Sequence, residues 1–145
     1  MKPSLLYRIA AVLLVLFAAG HQVGFRRVDP AWNAAAVVHA MQSARFAVQG
    51  YERTYWDFFS GFGFFVTVLL LFSAVLAWEF GRMPEETLRE LGRARWAFAL
   101  AYVTIAIITW LHFFLAPDLF ATVIAIGLIA AAAAGKRTSR PLPNV

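Results

Sequence analysis

Arg53, Thr54, Tyr55, Trp56, Asp57 and Ser60 follow one another within eight residues, and His112 closes a later apolar run. A carboxylate and an imidazole brought to matching depth could share a proton transfer while an arginine holds an anionic or oxygen-bearing head. Asp57 and His112 are therefore the candidate catalytic pair. Arg45, Arg53, Tyr55, Trp56, Ser60 and Trp110 would complete a ligand-binding polar end around them. An ionisable side chain inside a span is a functional candidate by default, because at mid-bilayer it costs about 2.5–3.5 kcal/mol, and less near the interface. Each residue also has a plainer role. Asp57 can cap a helix N-terminus, and Trp56, Trp110 and His112 can sit in an interfacial belt.

Other chemistries are excluded or weak. The chain has no cysteine, which removes disulfide scaffolds, thiolate metal sites and Cys-x-x-Cys redox chemistry. The three histidines, His21, His39 and His112, show no tight spacing such as His-x-x-x-His, so no metal site and no cofactor are expected. A haem relay across a membrane needs ligands at both faces, and all three histidines fall on one side in the topology below. A single haem held on that side by two of them stays open as a minor alternative. A small multidrug exchanger would need an acid inside the first span, and none stands there.

The elements that must position these groups are read from composition. Of 145 residues, 61 % are apolar and only 14 % charged, against roughly 25 % charged in soluble domains. Lipid is the solvent this balance suits. A bilayer crossing takes about 20 apolar residues, and four segments qualify: about 5–23, 55–80, 95–115 and 118–134. The expected fold is all-α, a single membrane domain over 1–145 built as a four-helix bundle. The continuous apolar runs lack the alternation of a membrane barrel. The first span, with Lys2, Arg8 and the small residues Ala18, Ala19 and Gly20, also has the make-up of a cleavable secretory signal.

Lys and Arg set the orientation. Lys2, Arg8, Arg82, Arg89, Arg93, Arg95, Lys136, Arg137 and Arg140 are nine of the thirteen basic residues, and all lie at the N-terminus, the middle loop or the tail. Both termini are predicted cytoplasmic, and the long first loop, with Arg26, Arg27, Arg45 and Arg53, faces outward. The net charge of +5 thus sits at helix ends, where it suits lipid headgroups and not nucleic acid.

Asp29-Pro30 reads as a helix N-cap followed by proline, and Gly50 as a stop. Val37, Met41, Ala44 and Val48 recur at helical spacing between them. The reading is an amphipathic helix over about 31–49 at the outer interface. Thr54-x-x-Asp57 has the form of a capping box opening the second span. The middle loop should hold a short helix with Arg82/Glu86 and Glu85/Arg89 pairs, and Glu79 should pair with Arg82. The tail, 136–145, should fray.

Ser60, Gly63, Thr67 and Ala74 form a small-residue stripe on span two, and Ala97, Ala101, Thr104, Ile108 and His112 form a stripe on span three. Small residues let membrane helices approach closely. Packing along these stripes would bring His112 near Ser60 or Asp57.

The run Arg45-Phe46-x-Val48-x-Gly50-x-x-Arg53-Thr54-Tyr55-Trp56-Asp57-Phe58-x-x-Gly61-Phe62-Gly63 resembles the core of a family of small bacterial four-helix membrane proteins with no assigned activity. Trp110-x-x-Phe113-Phe114-x-Ala116-Pro117 resembles the same pattern, and the likeness covers about 41–134. It implies a four-helix inner-membrane architecture and brings no catalytic role. The expected function is binding, or conversion, of a lipophilic small molecule in an outer-leaflet pocket between spans two and three. The alternative is a structural or assembly protein, a homo-oligomer or part of a larger complex, packing through the Ser60/Gly63/Thr67 face. Membrane lipid is the expected partner in either case.

Overall fold

The computed structural model describes residues 1–134; the tail read as 136–145 lies outside the described residues. In chain order the elements are α1 (Pro3–Gly24), α2 (Ala35–Ser43), β1 (Arg45–Val48), β2 (Tyr51–Thr54), α3 (Tyr55–Phe80), α4 (Glu85–Glu90), α5 (Gly92–His112) and α6 (Leu115–Ala134), with a single 3-10 turn at Pro30–Trp32 before α2. α1, α3, α5 and α6 are each long and apolar enough to cross a membrane, as the hydropathy runs require. Contacts gather the described residues into two compact units, one of Leu16–Leu71 and the other of Met1–Val15 with 72–134.

In the unit built from Met1–Val15 and the later chain, Tyr7, Ala10, Ala11 and Leu14 are buried at the three- and four-residue spacing of one helix face. Aromatic rings tie three helices together there. Tyr7 meets Phe80 edge-on at 5.3 Å, Phe80 meets Phe98 at 6.1 Å and Phe98 meets Tyr102 at 5.5 Å. Arg8 Nε donates to the Gly81 carbonyl at 3.1 Å, so a charge seven residues into the chain is used to close the end of α3. Leu88 anchors the short α4. Arg89 pairs with Glu85 at 3.7 Å, as expected, while Arg82 turns back to Glu79 at 3.5 Å and not to Glu86.

α5 and α6 form an antiparallel pair in the same unit, pinned at both ends. Arg95 Nη1 donates to the Ala132 carbonyl at 3.5 Å, and Trp110 Nε1 donates to Thr122 Oγ1 at 3.0 Å. Arg95 is buried, and its guanidinium reaches one carbonyl near the far end of α6. α5 turns Phe98, Ala99, Tyr102 and Thr109 inward. The stripe Ala97, Ala101, Thr104, Ile108 and His112 is exposed, which corrects the expectation that it packs. Bulk decides the matter: Phe98 and Tyr102 bury more area than Ala97 and Ala101 could. The turn between the pair falls at Phe113–Phe114, and Pro117 sits inside the first turn of α6, where its missing N–H is harmless.

The Leu16–Leu71 unit holds the end of α1, the first loop and the start of α3. Here the structure corrects the helix expected over 31–49. Asp29 does cap, accepting from Ala31 N–H at 2.8 Å, but it caps only the 3-10 turn. Helix α2 ends at Ser43, and a β-hairpin follows, with Phe46 opposite Arg53 and Ala47 opposite Glu52. The hairpin forms because Gln49 and Gly50 both adopt positive φ, 51° and 86°, the two-residue turn whose twist matches paired strands. Gly50 therefore stops no helix; it makes the hairpin turn.

Candidate functional site

Of the residues singled out by sequence, six gather where the hairpin hands over to α3. Thr54 N–H donates to Asp57 Oδ2 at 2.8 Å, and Asp57 N–H donates to Thr54 Oγ1 at 3.1 Å. This reciprocal pair is the expected capping box, with aspartate in the usual place of glutamate. Tyr55 packs its ring on Phe46 at 4.9 Å, and Trp56 on Phe59 at 5.4 Å. Arg45 lies 3.8 Å from Glu52, both largely exposed. Arg53 donates to the Glu52 carbonyl at 2.7 Å and lies over the Tyr51 ring. Ser60 is half-buried one turn further on. Thr54, Asp57, Arg45, Glu52 and Arg53 already have local polar partners.

Trp110 and His112 belong to the other unit. His112 is exposed at the last position of α5. Trp110 walls a shallow, open apolar groove of about 420 Å³ between α5 and α6, together with Val103, Ile107, Ile126 and Ile129. Asp118, in the first turn of α6, is buried, and its Oδ1 has no hydrogen-bond partner among the described residues. Among those residues, no three His, Asp or Glu side chains come together as a metal ion would need.

The sequence reading missed a tighter cluster. His21 and Gln22, near the end of α1, meet Thr67 midway along the 26-residue α3. Thr67 Oγ1 lies 3.1 Å from His21 Nδ1, 3.1 Å from Gln22 Oε1 and 3.1 Å from the Gly63 carbonyl. A hydroxyl has one proton and two lone pairs. The Gly63 carbonyl and the Gln22 amide oxygen only accept, so the Thr67 proton goes to them and a lone pair faces His21. That arrangement suits the His21 tautomer protonated at Nδ1, with Nε2 unengaged among the described residues. Local packing fixes the imidazole. Phe25 stacks parallel on it at 5.0 Å, and the Phe25 ring fills the space a Cβ at residue 63 would take. Only glycine there lets the end of α1 come this close to α3.

The sequence signals were a histidine-glutamine pair ending one span and a lone threonine inside the next. Both stood in view, but nothing in hydropathy joined them. Gly63 and Thr67, expected on a stripe facing span three, face the end of α1.

No protein-family model, curated protein or solved structure matches the chain.

Proposed function

We propose that the chain is a multi-pass protein of a bacterial inner membrane, with both termini cytoplasmic, that binds a lipophilic small molecule in the outer leaflet. Its likeness to small bacterial four-helix membrane proteins is part of that reading. Support for a lipid surrounding comes from exposure. Phe62, Phe65, Leu69, Phe72, Ile126 and many others present large apolar side chains outward, far more than a protein in water leaves uncovered.

The observation that carries the binding role is the His21–Gln22–Thr67 trio. Three hydrogen-bonding side chains meet between otherwise apolar helices, where polar groups are costly and tend to mark function. A bare imidazole nitrogen at that depth suits a lipophilic molecule with a hydroxyl to donate. The trio, not Asp57 with His112, is the polar end we favour, because the capping box already engages Asp57. The alternative, assembly through Ser60, Gly63 and Thr67, is disfavoured by the occupancy of that face: Phe25, His21 and Gln22 of the same chain cover Gly63 and Thr67.

The test is native mass spectrometry of the full chain extracted from membranes in mild detergent. A bound lipophile should travel with the wild type and be lost from Thr67→Val and His21→Phe. Equal retention in all three would remove the trio from the binding role.

A further inference from the structure

We infer that Arg26, held on the rings of Phe25 and Phe64, forms a binding site for one anionic phospholipid at the rim of the Leu16–Leu71 unit. The Arg26 guanidinium carbon lies 5.2 Å from the Phe25 ring centroid and 5.1 Å from that of Phe64, and the two rings meet edge to face at 5.7 Å. The two ring planes stand 78° apart, so the rings hold the guanidinium from two directions by cation–π attraction. Among the described residues no carboxylate lies within ion-pair distance of Arg26 and no hydrogen bond uses its edge. A guanidinium held on two rings and without a polar partner among the described residues keeps N–H donors for phosphate oxygens.

The rest of the lipid has a place as well. Phe64, Val68 and Leu71 are exposed on α3 and recur at four- and three-residue spacing, one face of the helix. They make an apolar strip about 10 Å long at 1.5 Å per residue, running from the cation along the helix, as the upper part of an acyl chain would. Charge selects the headgroup. Residues 25–54 carry Arg26, Arg27, Arg45 and Arg53 against only Asp29 and Glu52, and Glu52 is engaged by Arg45. A rim with surplus positive charge prefers a lipid with net negative charge to a zwitterionic one. The Phe25 platform is itself held by the absence of a side chain at Gly63, so the cation is positioned by packing and not by a flexible loop.

This inference rests on the membrane reading but not on the ligand of the His21 trio. The experiment reconstitutes the full chain into nanodiscs of phosphatidylcholine doped with phosphatidylglycerol and counts retained lipids by native mass spectrometry. The wild type should keep one phosphatidylglycerol in preference to phosphatidylcholine. Arg26→Gln should weaken that retention about tenfold, the loss of one charge-assisted contact. Phe64→Leu, which keeps the apolar strip and removes the ring, should weaken it less. Arg27→Gln, which removes an equal charge that no ring holds, should weaken it far less than Arg26→Gln. Retention unchanged in Arg26→Gln, or no preference for phosphatidylglycerol in the wild type, overturns the proposal. A chain that does not enter nanodiscs at all overturns the membrane reading beneath it.

Discussion

His21 Nδ1 and Thr67 Oγ1 meet 3.1 Å apart, joining the end of one apolar helix to the middle of another. One hydroxyl serves two side chains from the end of α1 and a carbonyl of α3, so it ties the Leu16–Gly24 stretch of α1 to the first half of α3.

Removing that hydroxyl should therefore loosen the pair. Thr67→Val is expected to lower stability by about 1 kcal/mol, typical of side-chain hydrogen bonds within a bilayer. His21→Phe should cost a similar amount, and the double variant less than the two together, because both act through one contact. Thermal unfolding in detergent measures all three; strict additivity would mean that the two residues do not communicate.

Neighbouring glycines on α3 should respond in opposite ways. A methyl at Gly63 meets the Phe25 ring, whereas Gly61 has nothing within 4 Å of an added Cβ. Gly63→Ala is expected to destabilise by about 1–3 kcal/mol, and Gly61→Ala to be neutral or stabilising through helix propensity. Phe25→Ala in the Gly63→Ala background should recover part of the loss.

The start of α3 offers a test of Asp57 as a cap. Thr54→Ala should cost about 1 kcal/mol and speed amide exchange in the first turn of α3. Asp57→Ala should act in the same direction. Asp57→Asn, whose amide oxygen can still accept from Thr54 N–H, should leave exchange nearly unchanged. A loss of ligand retention in Asp57→Asn without any change in exchange would instead return Asp57 to a chemical role.

Topology can be read cleanly because the natural chain has no cysteine. Ser43→Cys, on the first loop, should react with a membrane-impermeant maleimide in intact spheroplasts. Glu86→Cys, on the middle loop, should react only after permeabilisation. The reverse pattern would invert the orientation drawn from Lys and Arg.

The four long helices were legible because uninterrupted hydropathy needs no partner to be read; even the ends of α3, Tyr55 and Phe80, stand where the apolar run begins and stops. The first loop was not. Val37, Met41, Ala44 and Val48 keep a helical spacing across a boundary at Ser43, so periodicity carried a helix into residues that pair as strands. The competing signal was Gln49-Gly50, a weaker hairpin mark than Asn-Gly. The Thr54/Asp57 box could be read because its partners lie three residues apart. The His21 trio could not, since joining residues 21 and 67 requires the register of two helices, and small side chains permit several registers. On α5 the spacing of Ala97, Ala101 and Thr104 has the form of a seam, yet Phe98 and Tyr102 take the interior.

The length of α3 carries a consequence for where the chain can reside. At 1.5 Å per residue its 26 residues reach about 39 Å, while Trp56 and Trp78, near its two ends, stand about 33 Å apart by the same rise. Indole rings settle at headgroup depth, and a typical hydrocarbon core is about 30 Å thick. Thin bilayers would force α3 to lean, and thicker ones would let it stand upright with both indoles anchored. The distance between these two tryptophans is thus a ruler by which membranes of different thickness would sort this protein.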